Sequence, residues 1–222
     1  LVENNPINLD MREAGAMVHV TFGINIVVDT SSRHSGLFCG EFDKAWQASC
    51  SYVQKGYGLP IDYQADVVIA SCGGFPKDLN FYQSTKTLFN ASRAVKEGGT
   101  LIMLAECPEG SGSKDFFDWI KPLSKGCLDE ALRASFTIGG YIFYAACESI
   151  RRSKTLLLSS MEPELVRDMG VRSFKDMKDL LAEVDFNGKD VYVIPYGGSV
   201  LPQTKEAYER ICREAEENGG AK

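Results

Sequence analysis

Gln83 and Lys86 lie three positions apart at the start of a helical stretch, so an amide and an ammonium share one helical face. They follow an apolar run and the loop Ser71-Cys72-Gly73-Gly74-Phe75-Pro76-Lys77-Asp78, and the helix is predicted to begin near Asn80. An amide and an ammonium beside a helix N-terminus, whose macrodipole adds positive potential, suit a small carboxylate or hydroxy-carboxylate. A charge-assisted hydrogen bond of that kind contributes roughly 1.5–3 kcal/mol, enough to orient a small acid. Tyr82 stands beside the pair, and Gly73, Gly74, Lys77 and Asp78 are the loop residues placed to line such a site. Spacing alone favours the plainer reading, a solvated lysine near an ordinary helical glutamine.

Other chemistry is thinly represented. Glu106 and Glu109 could pair for acid–base work, but no apolar setting marks them out, and they read as loop acids. No GxGxxG follows a strand, and there is no GxxxxGK[ST]. Gly110-Ser111-Gly112-Ser113 lacks the downstream glycine and the ribose-binding acid. No GxSxG elbow with a histidine partner is present. The two histidines, His19 and His34, have no cysteine or carboxylate at ligand spacing, so no metal site is expected. The seven cysteines contain no CxxC pair and several fall in apolar runs, the usage of a reducing compartment and of buried thiols.

The elements that position the pair follow from hydrophobic patterning. Val67–Ala70, Leu101–Ala105, Leu156–Leu158 and Val191–Ile194 are continuous apolar runs, as in strands buried on both faces of a parallel sheet. Helical patterns separate them: Asn80–Glu97 with a stop at Gly98-Gly99, Lys114–Ile120 halted near Pro122, Leu128–Ala134, Gly140–Arg152, Glu162–Met169, and one capped by Ser173 and running to Val184. This rhythm predicts a three-layer α/β domain with a mostly parallel, Rossmann-like sheet over residues 59–222. Ligands bind such sheets beyond the carboxyl ends of the strands, where four loops begin at Ser71, Glu106, Ser159 and Pro195. Their clustered glycines serve either the close approach of a ligand or simply tight turns, and the loops alone leave both open.

Residues 1–58 read differently, as a helix–hairpin–helix arm. Asp10–Val18 is predicted helical, Val20–Val28 alternates with the period of a half-buried strand, Ser31–Gly36 turns, Leu37–Cys39 returns as a strand, and Glu41–Lys55 is a helix. Such a unit is too small to bury a core alone and should dock on the α/β domain or on an absent partner. A last charged helix spans Gln203–Asn218, and the terminal Gly-Gly-Ala-Lys should fray.

Composition narrows the function classes. The 222 residues are 44% hydrophobic and 24% charged, as in a globular chain, and the net charge of −6 with no basic cluster argues against nucleic acid as a partner. No apolar stretch approaches the roughly 20 residues of a membrane span, and Leu1–Gly15 has neither the basic nor the apolar region of a signal peptide. A cytoplasmic location is expected. The chain starts without Met and is read as a piece of something longer.

The segment ADVVIASCGGFPKDLNFYQSTKTLFNASRAVKEGGTLIMLAECPEGSGS, Ala65–Ser113, closely resembles the C-terminal region of the nickel-dependent lactate racemase family. NNPINLDMREAGAMVHVTFGINIVVD before it, and SSMEPELVRDMG and VYVIPYGGSVLP after it, fit the same family in the same order. The resemblance implies a racemase or epimerase of 2-hydroxy acids that moves hydride from the substrate α-carbon to a nickel-pincer nucleotide and back. It also implies that the cofactor-attaching lysine, the nickel-binding histidine and a catalytic histidine pair belong to the N-terminal half, so that this chain alone is inactive and holds no cofactor tightly. Within the chain, Gln83 and Lys86 resemble family residues directed at substrate, with Tyr82 beside them. One departure is Tyr141-Ile142 after Gly139-Gly140, where many relatives carry His-Lys. The expected partners are therefore a small 2-hydroxy acid and the N-terminal half of the same protein. The alternative is a free-standing α/β domain that binds a small carboxylate or a nucleotide without catalysis.

Overall fold

Asn5 accepts hydrogen bonds from the Ile7 and Asn8 amides and so caps α1 (Pro6–Ala16), with Pro6 at the first helical position, where no amide is needed. The computed structural model describes residues 5–29, 31, 33–112 and 115–219. Contacts divide the chain into two units, Leu1–Pro60 with Thr204–Lys222, and Ile61–Gln203.

In the first unit α1 buries no residue of its own. Arg12 ties it down through paired hydrogen bonds of 3.1 and 3.0 Å to Asp43 and lies 5.6 Å from the Trp46 ring. β1 (Gly23–Val28) and β2 (His34–Gly40) form an antiparallel hairpin, and α2 (Phe42–Tyr57), capped by Glu41, covers one of its faces. The alternation in this hairpin resolves in an unexpected sense. Gly23 and Val27 are buried against α2, whereas Ile24, Ile26 and Val28 are exposed. Gly23 faces inward because the Phe42 backbone sits where a side chain would begin, 3.1 Å from a Cβ placed there. The turn expected over Ser31–Gly36 falls partly on positions 30 and 32, outside the described residues, and His34–Gly36 already belong to β2.

Beyond β3 (Gly58–Ile61) the second unit is an α/β domain. Its elements are β4 (Ala65–Ser71), α3 (Phe81–Ala91), β5 (Val95–Leu104), α4 (Ile120–Ser124) entered by a 3-10 turn, α5 (Leu128–Ala134), α6 (Ile138–Arg151), β6 (Lys154–Leu158), α7 (Glu164–Arg167), β7 (Arg172–Phe174), α8 (Met177–Leu181) and β8 (Val191–Ile194). The sheet order is β7-β6-β5-β4-β8, with every pairing parallel. Successive strand residues serve opposite faces. Val68, Ala70, Leu101, Met103 and Leu157 pack with Phe81, Leu88, Phe116, Phe143 and Ile150, while Val67, Ile102 and Leu156 pack with Leu180, Phe174 and Phe186. Coverage on both faces is why these strands lack alternation in the sequence. β9 (Leu201–Thr204) leads into α9 (Lys205–Gly219), which packs against α2. The sequence places this last helix with residues 59–222, and its contacts lie with α2. The terminal residues 220–222, expected to fray, lie outside the described residues.

In the second unit three readings of element ends and caps need correction. The helix predicted to reach Glu97 ends at Ala91, and Val95 already pairs with Ala65, so Gly98-Gly99 lies within β5 and is not a helix stop. Gly98 has φ +71 and accompanies an irregularity in the β4–β5 register. Ser173 is not a cap but the middle of β7, and Asp176 caps α8 instead by accepting from the Lys178 and Asp179 amides. Pro122 sits inside the first turn of α4, which continues to Ser124, since a first-turn proline forfeits no intrahelical bond. Positions 113 and 114, at the end of one predicted loop and the start of one predicted helix, lie outside the described residues. All seven cysteines are free, and among the described residues no helix is long and apolar enough to cross a membrane.

Candidate functional site

β4 feeds β5 on one side, whereas β8 returns to flank β4 on the other, so the strand order reverses between β4 and β8. In a parallel sheet such a reversal opens a crevice beyond the carboxyl ends of the two strands. The loop after β4 carries Gly73, Gly74, Lys77 and Asp78 into α3, and a 3-10 turn at Gly197–Ser199 follows β8.

α3 is fixed at its start by its neighbours. Asn80 Oδ1 accepts the Gln83 amide at 2.9 Å, and the Phe81 and Tyr82 amides donate to the Gly110 and Ser111 carbonyls at 2.8 and 3.1 Å. The first three amides are therefore used within the protein. An acid at this helix end meets the macrodipole but must take its hydrogen bonds from side chains. On the packed side Tyr82 lies edge-on to Phe116, ring centres 5.7 Å apart, in a cluster with Phe81, Phe117 and Phe143. Tyr82 thus belongs to the packing that holds the helix, while Gln83 and Lys86 stand on the open side.

The pair does converge. Lys86 Nζ donates to Gln83 Oε1 at 2.9 Å. Thr87 and Asn90 extend the same face by one turn, and both grip the turn after β8: Asn90 Nδ2 donates to the Gly197 carbonyl at 2.9 Å, and the Thr87 methyl lies 2.6 Å from where a Gly197 Cβ would stand. Gly197 is therefore what lets this turn close on α3. The amide and ammonium sit one helical turn nearer the helix start, above the joint between α3 and the β8 turn.

Lys77 reaches across the crevice. Its Nζ donates to Ser199 Oγ at 3.2 Å and lies 5.9 Å from the Tyr196 ring, while Tyr196 packs on Gly73, whose φ of +87 bends the loop toward it. Gly74 adds a second positive φ, +75. Asp78 does not join them. It is buried, its carboxylate accepts the Glu106 amide at 3.3 Å and its carbonyl accepts the Cys107 amide at 2.9 Å, so it ties this loop to the one after β5. Tyr196, Ser199, Thr87 and Asn90 were not singled out beforehand. The spacing 83, 86, 87, 90 was the available signal for the last two.

The remaining candidates carry less. His19 and His34 are both exposed, and Glu106 and Glu109 are exposed loop acids. Burial pushes the Cys107 thiol up to about 11 and also raises that of Cys72, so neither offers a thiolate near neutrality. A cavity of about 290 Å³ lies at the opposite ends of the strands, lined by Asp66, Lys96, Lys154 and Glu183. There Lys96 pairs with Asp66 at 3.1 Å and Lys154 with Glu183 at 3.9 Å. Those charges neutralise one another, and we read the cavity as a structural ion cluster. Among the described residues no group of three or more His, Cys, Asp or Glu is placed to hold a metal.

Comparison with known proteins decides the family. A family model described as the lactate racemase C-terminal domain matches residues 61–201. The chain belongs to the lactate racemase family. The lactate racemase of Thermoanaerobacterium thermosaccharolyticum is 32% identical over 219 residues, covering 92% of this chain and 50% of that protein. The lactate racemase of Lactiplantibacillus plantarum is 33% identical over 131 residues, 58% of this chain and 31% of that protein. The solved lactate racemase apoprotein from T. thermosaccharolyticum superposes with a TM-score of 0.81 at 30% identity, covering 91% of this chain and 51% of that one. A Thermotoga maritima protein shares the fold, with a TM-score of 0.65 at 15% identity and coverage of 91% and 54%. The chain thus spans about half the length of the lactate racemase it matches over most of its own residues. In this lactate racemase family member the matched region contains the crevice between β4 and β8 and all of Gln83, Lys86, Lys77 and Asp78.

Proposed function

We propose that this chain is the substrate-closing half of a 2-hydroxy-acid racemase or epimerase, with Gln83 and Lys86 binding the carboxylate or hydroxyl of the acid. The reading is carried by the 2.9 Å approach of Lys86 Nζ to Gln83 Oε1 at the switch point, in a chain of the lactate racemase family. An ammonium already oriented by an amide neighbour needs little reorganisation to grip a carboxylate. Lys77, Gly73 and Gly74 form the facing wall, and Tyr82 holds α3 from behind. The partners are a small 2-hydroxy acid and the other half of the family's polypeptide. The seven free cysteines suit a reducing cytoplasm.

Among the described residues no group of three or more His, Cys, Asp or Glu is placed to hold a bare metal ion, and the nickel-pincer nucleotide that the resemblance implies brings ligands to nickel of its own. We assign it, with the hydride chemistry, to the other half, and no step of that chemistry is derived from these residues. The 222 residues alone are then inactive.

The test is racemisation of a panel of 2-hydroxy acids by a chain carrying both halves, comparing wild type with Lys86→Ala and Gln83→Ala. Loss of a charge-assisted hydrogen bond should lower kcat/KM about 10- to 100-fold for Lys86→Ala and less for Gln83→Ala. Unchanged turnover in Lys86→Ala would overturn the site. Stoichiometric nickel in the isolated 222 residues would overturn the division of labour.

A further inference from the structure

Among the described residues, the hairpin of β1 and β2 is covered on one face only. Its inner face rests on α2 through Gly23 and Val27, with Phe38 5.4 Å from the Tyr52 ring. Its outer face is apolar and open: Ile24 is 64% exposed, Ile26 53%, Val28 49% and Leu37 65%. The register makes this one surface, since Ile26 stands opposite Leu37 and Ile24 opposite Cys39, and opposed residues in an antiparallel pair project to the same side. Phe22, 58% exposed, precedes the strand in the same alternation.

Two observations separate this face from scattered surface hydrophobics. A two-stranded sheet is not independently stable and needs packing or further strands. The unit around it has almost no interior of its own, for Val27 and Ala45 are its only buried hydrophobic side chains among the described residues. Contiguous apolar surface of this kind on a soluble chain marks a docking site.

We infer that the outer face of the hairpin, centred on Ile24, Ile26 and Leu37, packs against the half of the family's polypeptide that this chain does not span. That half amounts to about half the length of the full lactate racemase relative. The inference rests on the reading that the chain works with such a half, and it names the surface that receives it. A second copy of the chain is the competing occupant.

Cys39 is exposed on this face and serves as the probe. Alkylation would be followed site by site by mass spectrometry in the 222-residue chain and in a chain carrying both halves. Cys39 should react freely in the first and about tenfold or more slowly in the second. Separately, the 222 residues and the other half would be co-expressed and their association measured for wild type, Ile26→Asp and Ile24→Asp. Both replaced side chains are exposed, so their folding is checked by circular dichroism alone. Each should weaken association about tenfold or more, as loss of a buried anchor does. Association with Cys39 still reactive and both variants unimpaired would overturn the docking face while leaving the proposed function standing. Protection of Cys39 that grows with concentration of the 222 residues alone would assign the face to self-association and overturn the inference. Racemase activity in the isolated chain would instead sink the functional reading on which it rests.

Discussion

Asn80 does two jobs at once, and its neighbours show why few other residues could. Its carbonyl oxygen Oδ1 caps α3 through the Gln83 amide, and its side chain fills the space directly against Gly112. A Cβ on Gly112 would stand 2.1 Å from Asn80 Cγ, and Gly112 has φ +84. Asn80→Ala should cost about 1 kcal/mol, the usual price of a lost cap. Gly112→Ala should destabilise as well, by displacing the same side chain and straining the backbone. Because both act through the cap, the double variant should lose less than the sum of the singles, measured by urea unfolding. Losses that add would separate the two residues. At this scale the pairing of Gln83 with Lys86 was legible in the sequence, since three-residue spacing on a helix leaves little freedom. The inward turn of Asp78 was not legible. It depends on the Glu106 amide, 28 positions away in sequence, which no local pattern announces.

Among the elements, β4, β5 and β6 were recognisable because burial on both faces leaves unbroken apolar runs, whereas β8 shows the same run at the sheet edge with Val191 and Val193 exposed, so its expected burial on both faces is not met. β7 escaped because Arg172-Ser173-Phe174 is short and polar, as suits an edge strand, and its placement rests on charge as well as packing. Arg172 makes paired hydrogen bonds of 2.5 and 2.7 Å to Glu183, just beyond α8. The Arg172 guanidinium, more than the nearby Lys154, holds the Glu183 carboxyl below its ordinary value of 4.5. A carboxyl with a lowered folded-state pKa contributes stability that is present above the unfolded value and is lost as pH falls through the folded one. The urea midpoints of wild type and Glu183→Gln should therefore differ at pH 6 and draw together on acidification below 4.5. Arg172 is exposed and Glu183 is partly exposed, so the difference should also shrink in high salt. A gap that widens in acid would show that Glu183 stabilises β7 through something other than its charge. The misread end of α3 has a different origin. A Gly-Gly pair after an amphipathic run reads as a helix stop, and only the pairing of Val95 with Ala65 reveals the strand.

Taken whole, the molecule is unevenly built. In the unit Ile61–Gln203, Phe81, Leu88, Phe116, Phe143 and Leu157 are fully buried, whereas Leu1–Pro60 with Thr204–Lys222 has, among the described residues, only Val27 and Ala45 as buried hydrophobics. Local opening free energy follows buried apolar contact, so the two units should not unfold as one in the isolated 222 residues. Hydrogen exchange should show the amides of β1 and β2 exchanging far faster than those of β4 and β5, although both sets are paired in strands. The thiols give an independent clock. Cys72, Cys107 and Cys147 are buried, and burial pushes Cys147 up to about 12, so these three should resist alkylation until the second unit opens. If the slow exchange of β4 and β5 and the labelling of those three thiols share one free energy, while β1 and β2 open at a much lower one, the second unit holds its fold without help from the first. Uniform exchange across both units would mean that the hairpin draws stability from contacts other than its own sparse interior, and the asymmetry of burial would then carry no thermodynamic weight.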